Sequence, residues 1–461
     1  MSKQDSLKSE SNVGQIMNDI NQLLDSFGRF GVDLGLDRIV QLLEDLGNPH
    51  HRVPIIHVAG TNGKGSVCAY LASILTQAGY RVGRYISPHL VSWCDRFCVN
   101  GQAIAPATLY DILTRAREAI RPDLPSPTQF EVVTAAAFLY FAEQQVDIAV
   151  MEVGLGGRLD ATNVCDRPLV SVITSISREH WQRLGSTLGA IAGEKAGVLK
   201  PQCPAVLGQL PPEAEAVVRQ RAAKVGCEAR WIKPSVDLGD GTAQHKGSPS
   251  LVYPLPLPGA HQLMNSALAI AAIQVLREQG WNIGDRAILE GMRQTRWPGR
   301  IQWSQWKGHP LLIDGAHNPA AATVLRQYVD DKLSRSEPAS GSQTVHWVMG
   351  MLSTKDHADI FKALLRDGDR LSLVPVPEHS SAIPSELAQL VTDLGISLEV
   401  CKSFEDIHLA LDEAFEQSSI QNAAEASPVS ASTSDVSQMV VFCGSLYLIG
   451  HVFQQHPELY S

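Results

Sequence analysis

The sequence predicts an α/β chain of two domains, each built around a mostly parallel sheet. Three observations carry that expectation. Short apolar runs alternate with helical patterns along nearly the whole chain. One junction, Pro54 to Leu75, reads strand, glycine-rich turn, lysine, helix. The alternation then restarts after Arg296-Trp297-Pro298-Gly299-Arg300, which sets a boundary there, with 1–297 on one side and 298–461 on the other. The 461 residues, 44% of them hydrophobic, suffice for two or three domains with sizeable cores.

Bulk properties exclude several classes. The formal charge of −10 argues against a general nucleic-acid or anionic-membrane binder. It leaves room for an anionic substrate in a local basic pocket. The eight cysteines, at 68, 94, 98, 165, 203, 227, 401 and 443, form no CxxC pair. Neither a zinc site nor a disulfide framework is signalled, and the pattern fits a reducing compartment. Met1 to Ser11 is polar and lacks the apolar core of a signal peptide. No apolar run reaches membrane-spanning length. The expectation is a soluble cytoplasmic monomer.

Taken in order, Ile16–Leu24 and Leu36–Leu46 have helical spacing, the first broken by Phe27–Phe30, the second ended by Gly47-Asn48-Pro49. The apolar run Pro54 to Ala59 is a strand, and Tyr80–Ile86 another, so a βαβ unit is expected. Trp93–Ala105 reads as a loop and short strand around Asn100-Gly101. Helices are expected over Pro106–Ile120 and Phe130–Glu143. Val146–Val153 is a buried strand ending near Glu152, and Leu169–Ile176 a further one. Ile191–Leu199 is helical. Ala205–Leu207 and Glu228–Ile232 are strands. Residues 234–250 are polar and read as a hairpin or surface loop. Gln262–Gln279 is a strongly apolar helix.

In the second half, strands fall at Leu311–Asp314, Val345–Met349, Arg370–Pro375, Leu398–Cys401 and Met439–Cys443. Helices fall between them, at Ala320–Lys332, Asp356–Asp367, Ile383–Leu394 and Phe404–Glu416. Ser334–Ser342 and Gln421–Ser437 are Ser/Ala-rich and read as mobile loops.

The chemistry centres on Gly60-Thr61-Asn62-Gly63-Lys64-Gly65-Ser66. Successive backbone N–H groups and a helix N-terminus can cradle a phosphate, and Lys64 adds a point charge. Gly65 separates Lys64 from Ser66, a departure from the GxxxxGK[ST] spacing. Glu152, at the end of an apolar strand downstream, stands where a metal-holding acid would sit. Gly154-Leu155-Gly156-Gly157 fails the dinucleotide fingerprint, because Leu159 occupies the last glycine position. Ser87-Pro88-His89 ends a strand, where open α/β sheets place ligands.

Several blocks occur in order along the chain: the Gly60–Ser66 loop, Ser87-Pro-His-Leu, Glu152 to Asn163, Glu194-Lys-Ala-Gly197, His261-Gln-Leu-Met-Asn265, Trp297-Pro-Gly-Arg300, Asp314-Gly-Ala-His-Asn-Pro319 and Gly444-Ser-Leu-Tyr447. Together they resemble the folylpolyglutamate synthase/dihydrofolate synthase family of the Mur ligase superfamily, from about Leu34 to Gly450. The resemblance implies a Mur ligase-like P-loop ATPase domain followed by a smaller Rossmann-like glutamate ligase domain. It also implies an ATP-dependent amide ligase adding L-glutamate to dihydropteroate, to reduced folates, or to both, through an acyl phosphate.

By that resemblance, Ser87, Glu152 and His180 match the magnesium ligands, although Ser177-Arg178-Glu179-His180 departs from the usual small–Leu/Met–Asp–His. Ser66, left with the phosphates, ranks below Ser87 as a metal ligand. Lys195 matches a lysine carbamylated in the family. The residues Thr61, Asn62, Gly63, Lys64, Gly65, Ser66, Asn265, Arg300 and Asp314 match the ATP positions, with His317 nearby as a catalytic candidate. ATP is accordingly expected in an interdomain cleft. Thr128, Gln129, Phe130, Glu131, Leu159, Asp160 and Ala161 match the dihydropteroate contacts. Two other readings stay open: a cell-wall peptide ligase of the Mur type, and a P-loop protein that binds nucleotide without catalysis.

Overall fold

The strand β1 (Ile55–Ala59) is buried at every position, and its neighbours explain why. It lies inside an eight-stranded sheet with β2 (Val82–Tyr85), β3 (Phe97–Val99), β4 (Gln102–Ala103), β5 (Ile148–Glu152), β6 (Val170–Ile173), β7 (Ala205–Leu207) and β8 (Ala229–Trp231). The order is β4-β3-β2-β5-β1-β6-β7-β8. From β2 to β8 all pairs are parallel. The antiparallel pairs β2–β3 and β3–β4 close one edge. Strands covered on both faces read as continuous apolar runs, which is what Ile148-Ala-Val-Met151 shows. The parallel order brings the carboxyl ends of β2, β5, β1 and β6 side by side.

This structure is a computed structural model that describes residues 3–27, 35–247, 250–335, 344–425 and 438–460. Two units emerge from the packing: Met1–Pro256 with Gln262–Arg296, and Leu257–His261 with Trp297–Ser461.

In the first unit, helices Pro106–Glu118 and Gln129–Glu143 cover one sheet face, with Leu109, Leu113, Val132, Phe138 and Phe141 in its core. Helix Leu188–Lys195 covers the same face farther along the sheet, where Ile191 and Ala192 cluster with Ile173, Leu207 and Val218. Val218 lies on helix Pro212–Val225, a segment the sequence reading passed over. It carries Glu, Arg, Gln and Lys on most faces, and only Ala214, Val218 and Ala222 are buried. Its apolar stripe is too narrow to stand out. The polar stretch read as a hairpin or loop forms a separate antiparallel sheet of β9 (Val236–Asp237), β10 (Thr242–His245) and β11 (Leu251–Pro254).

The second unit is a six-stranded sheet of β12 (Gln302–Trp306), β13 (His309–Asp314), β14 (Thr344–Met349), β15 (Arg370–Leu373), β16 (Val400–Ser403) and β17 (Gln438–Cys443). Their order is β12-β13-β17-β14-β15-β16, parallel except for β12. The edge strand β12 also escaped the sequence reading, because Gln302, Ser304 and Gln305 interrupt its apolar pattern. The expected loops at 334–342 and 421–437 lie mainly outside the described residues, and at their margins helices run to Arg335 and Glu425. Among the described residues, no helix is long and apolar enough to cross a membrane.

Candidate active site

The loop after β1 is held in its turn by two glycines. Gly60 has φ +144°, and a Cβ there would lie 1.9 Å from Thr174 Oγ1. Gly63 has φ +90°, and a Cβ there would lie 2.4 Å from Asn265 Oδ1. Both positions need the missing side chain as well as the backbone freedom. The segment after β6 clamps the rest. Thr61 N–H donates to Ser175 O at 2.8 Å, and Asn62 N–H to Ser175 Oγ at 3.0 Å. Thr174 Oγ1 donates to Asn62 O at 2.7 Å. Ser177 N–H donates to Thr61 Oγ1 at 3.1 Å. The sequence reading missed this Thr174–Ser177 clamp, because nothing in its residue types marks it. Gly63 caps helix Lys64–Gln77, so Lys64, Gly65 and Ser66 form its first turn.

Two lysines converge on one carbonyl. Lys195 Nζ donates to Gly60 O at 2.7 Å. Lys64 Nζ donates to Gly60 O at 3.1 Å and to Thr61 O at 3.0 Å, and lies 4.0 Å from Glu152 Oε1. Lys195 is 4% exposed. Burial, reinforced by the Lys64 charge, lowers its pKa to about 7. An amine that is substantially neutral near pH 7 is both a nucleophile and a proton acceptor, so Lys195 combines reactivity with a place at the loop.

Glu152 closes β5, Ser87 follows β2, and His180 follows β6, so all three belong to the carboxyl edge of the sheet. Ser87 Oγ is buried with no hydrogen-bond partner among the described residues, and so is Ser177 Oγ. An orphaned hydroxyl beside a buried carboxylate suits a hard cation that retains waters and phosphate oxygens. His180 is exposed, has φ +49° and sits 3.9 Å from Glu179 Oε1. Among the described residues, no three His, Cys, Asp or Glu side chains gather into a ready metal cage.

The glycine-rich block and the Thr128 segment are built around their own hydrogen bonds. Asp160 is 4% exposed, and its burial raises its pKa. Its Oδ2 accepts from Leu155 N–H at 2.7 Å, its Oδ1 from Thr162 N–H at 3.0 Å and Thr162 Oγ1 at 2.5 Å. Ala161 is buried beside it and Leu159 half-buried. Thr128 caps helix Gln129–Glu143, with Glu131 completing the capping box. Glu131 also takes a two-point contact from Arg38, each bond 3.1 Å. Gln129 donates to Leu24 O at 3.0 Å. Phe130 is half-buried against Gly154, where a Cβ would lie 2.4 Å from its ring. Of this segment, Phe130 alone presents a large apolar surface to the glycine block.

In the second unit, Asp314 ends β13 and is 8% exposed. Its Oδ2 accepts from Ile301 N–H and its Oδ1 from Ala316 N–H, both at 2.8 Å. Burial raises its pKa, and the Arg300 charge opposes that rise. Arg300 Nη1 lies against Gly315, where a Cβ would stand 2.4 Å away. His317 Nδ1 is 2.7 Å from Gly315 O. His261, also of this unit, is held down to about 4 by burial and by Arg300. Arg300, just before β12, thus lies against the turn after β13 that carries Asp314 and His317.

Comparison with known proteins fits this geometry. The model described as Dihydrofolate synthetase, C-terminal domain, matches residues 300–455, and the Mur ligase middle domain matches 58–273. The chain is 32% identical to a probable dihydrofolate synthetase of Schizosaccharomyces pombe, over 92% of this chain and 98% of that one. It is 34% identical to a dihydrofolate synthase/folylpolyglutamate synthase of Bacillus subtilis, over 81% of this chain and 86% of that one. A crystal structure of Mycobacterium tuberculosis folylpolyglutamate synthase complexed with ADP and AMPPCP superposes with a TM-score of 0.82 at 29% identity, over 96% of this chain and 98% of that one. By fold and sequence, the chain belongs to the dihydrofolate synthase/folylpolyglutamate synthase family.

Proposed function

We propose that this chain is an ATP-dependent ligase that joins L-glutamate to dihydropteroate, to reduced folates, or to both. The observation that carries the reading is the convergence of Lys64 and Lys195 on the Gly60 carbonyl, at the helix-capped loop beside Glu152. A substrate carboxylate oxygen attacks the γ-phosphorus, and ADP leaves. The amine of glutamate then attacks the acyl carbon and loses a proton, and inorganic phosphate leaves with the cleaved C–O bond. Every step crowds anions together, so fixed donors must face them. The loop N–H groups from Gly63 to Ser66 and the Lys64 ammonium supply that field.

Asn265, Arg300 and Asp314 complete the nucleotide set in this proposal. Asp314 is anchored by two backbone N–H groups and keeps lone pairs for ribose hydroxyls. His317 stands beside Arg300 as a phosphate contact. Ser87, Glu152 and His180 would hold Mg²⁺, which when bound neutralises phosphate charge. The half-buried face of Phe130 is the stacking surface for a pterin, with Thr128, Gln129, Leu159, Asp160 and Ala161 around it and Glu131 acting through the helix cap. Lys195 is proposed to carry a carbamate, formed when its neutral amine adds to carbon dioxide and releases a proton.

The test is ADP release on adding glutamate with either dihydropteroate or tetrahydrofolate. Stimulation by neither defeats the reading. Stimulation by one alone fixes the acceptor. A Mur-type peptide ligase would respond instead to an amino-acyl cell-wall precursor, and a nucleotide-binding protein without catalysis to none of them. A monomer is proposed with it, tested by light scattering.

A further inference from the structure

Gln262 has no place in the proposed chemistry, yet it is 1% exposed and touches two residues that do. Its Nε2 donates to Ser66 Oγ at 3.2 Å, and its Oε1 accepts from Asn265 Nδ2 at 3.1 Å. Ser66 and Asn265 are themselves 4% and 5% exposed. Asn265 Oδ1 in turn faces Gly63, close enough to forbid a side chain there. The chain of contacts therefore runs Ser66–Gln262–Asn265–Gly63, from the first turn of helix Lys64–Gln77 back to the residue that caps it.

Hydrogen-bond polarity gives this chain a consequence. A buried amide contributes donors at one end and an acceptor at the other. With Oε1 occupied by Asn265 Nδ2–H, Gln262 presents N–H to Ser66. Ser66 then accepts, and its own O–H remains to be donated. No acceptor for that O–H occurs among the hydrogen bonds of the described residues. The first turn of a helix that follows a glycine-rich loop faces an anion, and there a hydroxyl donor is of use.

We propose that Gln262 is a positioning residue for nucleotide phosphate: it turns the Ser66 hydroxyl outward as a donor and fixes the orientation of the Asn265 carboxamide. This rests on the ligase reading above. It also explains why Ser66 serves as a phosphate donor while Ser87 keeps an unpartnered oxygen for a cation.

The test is Gln262→Glu, of the same shape, made in the wild-type and Ser66→Ala backgrounds. The carboxylate keeps the acceptor for Asn265 but accepts from Ser66, capturing its proton. The expected result is a KM for ATP raised at least tenfold, with KM for glutamate little changed. In the Ser66→Ala background the same change should raise KM for ATP less than threefold. An equal rise in both backgrounds would mean that the added charge alone acts, and would overturn the proposal. So would an unchanged KM for ATP. Gln262→Met, which removes both hydrogen bonds without charge, gives an independent reading through the melting-temperature shift on adding ADP. That shift should fall by at least half, and a wild-type shift would overturn the idea. Absence of glutamate-dependent turnover in the wild type would instead strike the ligase reading alone.

Discussion

Lys195 Nζ lies 2.7 Å from the carbonyl oxygen of Gly60, so a residue on the helix before Ala196 is tied to the first residue of the phosphate loop. Burial and the Lys64 charge bring its pKa to about 7. Between about pH 7 and the ordinary lysine value, the unfolded chain holds a proton that the folded chain lacks. Stability contributed by this group therefore rises with pH across that window, and is lost as pH falls to about 7. The neutral amine also becomes available across the same range. We predict that labelled bicarbonate gives a carbamate carbon signal that grows from pH 6 to pH 8 and is absent in Lys195→Ala. Turnover of Lys195→Ala should drop about a hundredfold, about 2.7 kcal/mol. Full activity in that variant would sink the role.

The loop glycines yield a second prediction. Gly63→Ala must fit a Cβ 2.4 Å from Asn265 Oδ1 at φ +90°. Gly60→Ala meets Thr174 Oγ1 still more closely. Each should cost roughly 2–4 kcal/mol of stability, as overpacking and a strained backbone add. ADP binding should weaken in both. The pairing Gly63→Ala/Asn265→Ala should recover part of the stability but not the binding, measured by denaturant melts and by titration. Equal losses in the single and double variants would refute the steric account.

The parts of this architecture that follow from local pattern were readable, and the parts that follow from tertiary pairing were not. Buried parallel strands such as β5 announce themselves as apolar runs, and Gly60–Ser66 as a strand–turn–helix. Helix Pro212–Val225 and edge strand β12 did not, since each buries only a thin stripe. Within the site, residue types pointed to Lys64 and Glu152, and the family resemblance to Lys195. They could not show that Thr174 and Ser175 clamp the loop, because serines and threonines after a strand are ordinary. Nor could they show that Asp160 and Asp314 spend both oxygens on backbone N–H groups, which depends on the fold of each turn.

Glu131 separates a structural role from a ligand role. Its carboxylate receives Arg38 and the Thr128 N–H, the latter at 2.6 Å, while being only 4% exposed. Removing it takes the two-point contact from a half-buried guanidinium and uncaps a helix end together. Glu131→Ala should cost about 3–5 kcal/mol, and Arg38→Met should restore part of that loss. If pterin contact dominated instead, Glu131→Ala would melt like the wild type and raise only the KM for dihydropteroate.

Buried histidines set the acid limit of the fold. Burial holds His57 at about 3, and His50 and His346 at about 4. Thr162 Oγ1 donates its only proton to Asp160 Oδ1, so His57, 2.8 Å away, must donate from Nε2. That fixes a neutral tautomer, which a second proton would disturb. Below the ordinary histidine value of about 6.5, the unfolded chain takes up protons that the folded chain refuses. Stability is therefore complete above about pH 6.5 and lost as pH falls toward the folded values. Each fully neutral buried ring removes up to about 1.4 kcal/mol per pH unit in that window. His57 belongs to the first unit and His346 to the second, so single variants report on different units. His346 Nε2 lies 2.8 Å from Ser372 Oγ, a contact that an amide can replace. His346→Gln should reduce the stability difference between pH 7 and pH 5 by about 2 kcal/mol in denaturant melts, following the same per-unit value. Should that difference stay at its wild-type size, His346 is not one of the groups through which acid unfolds the protein.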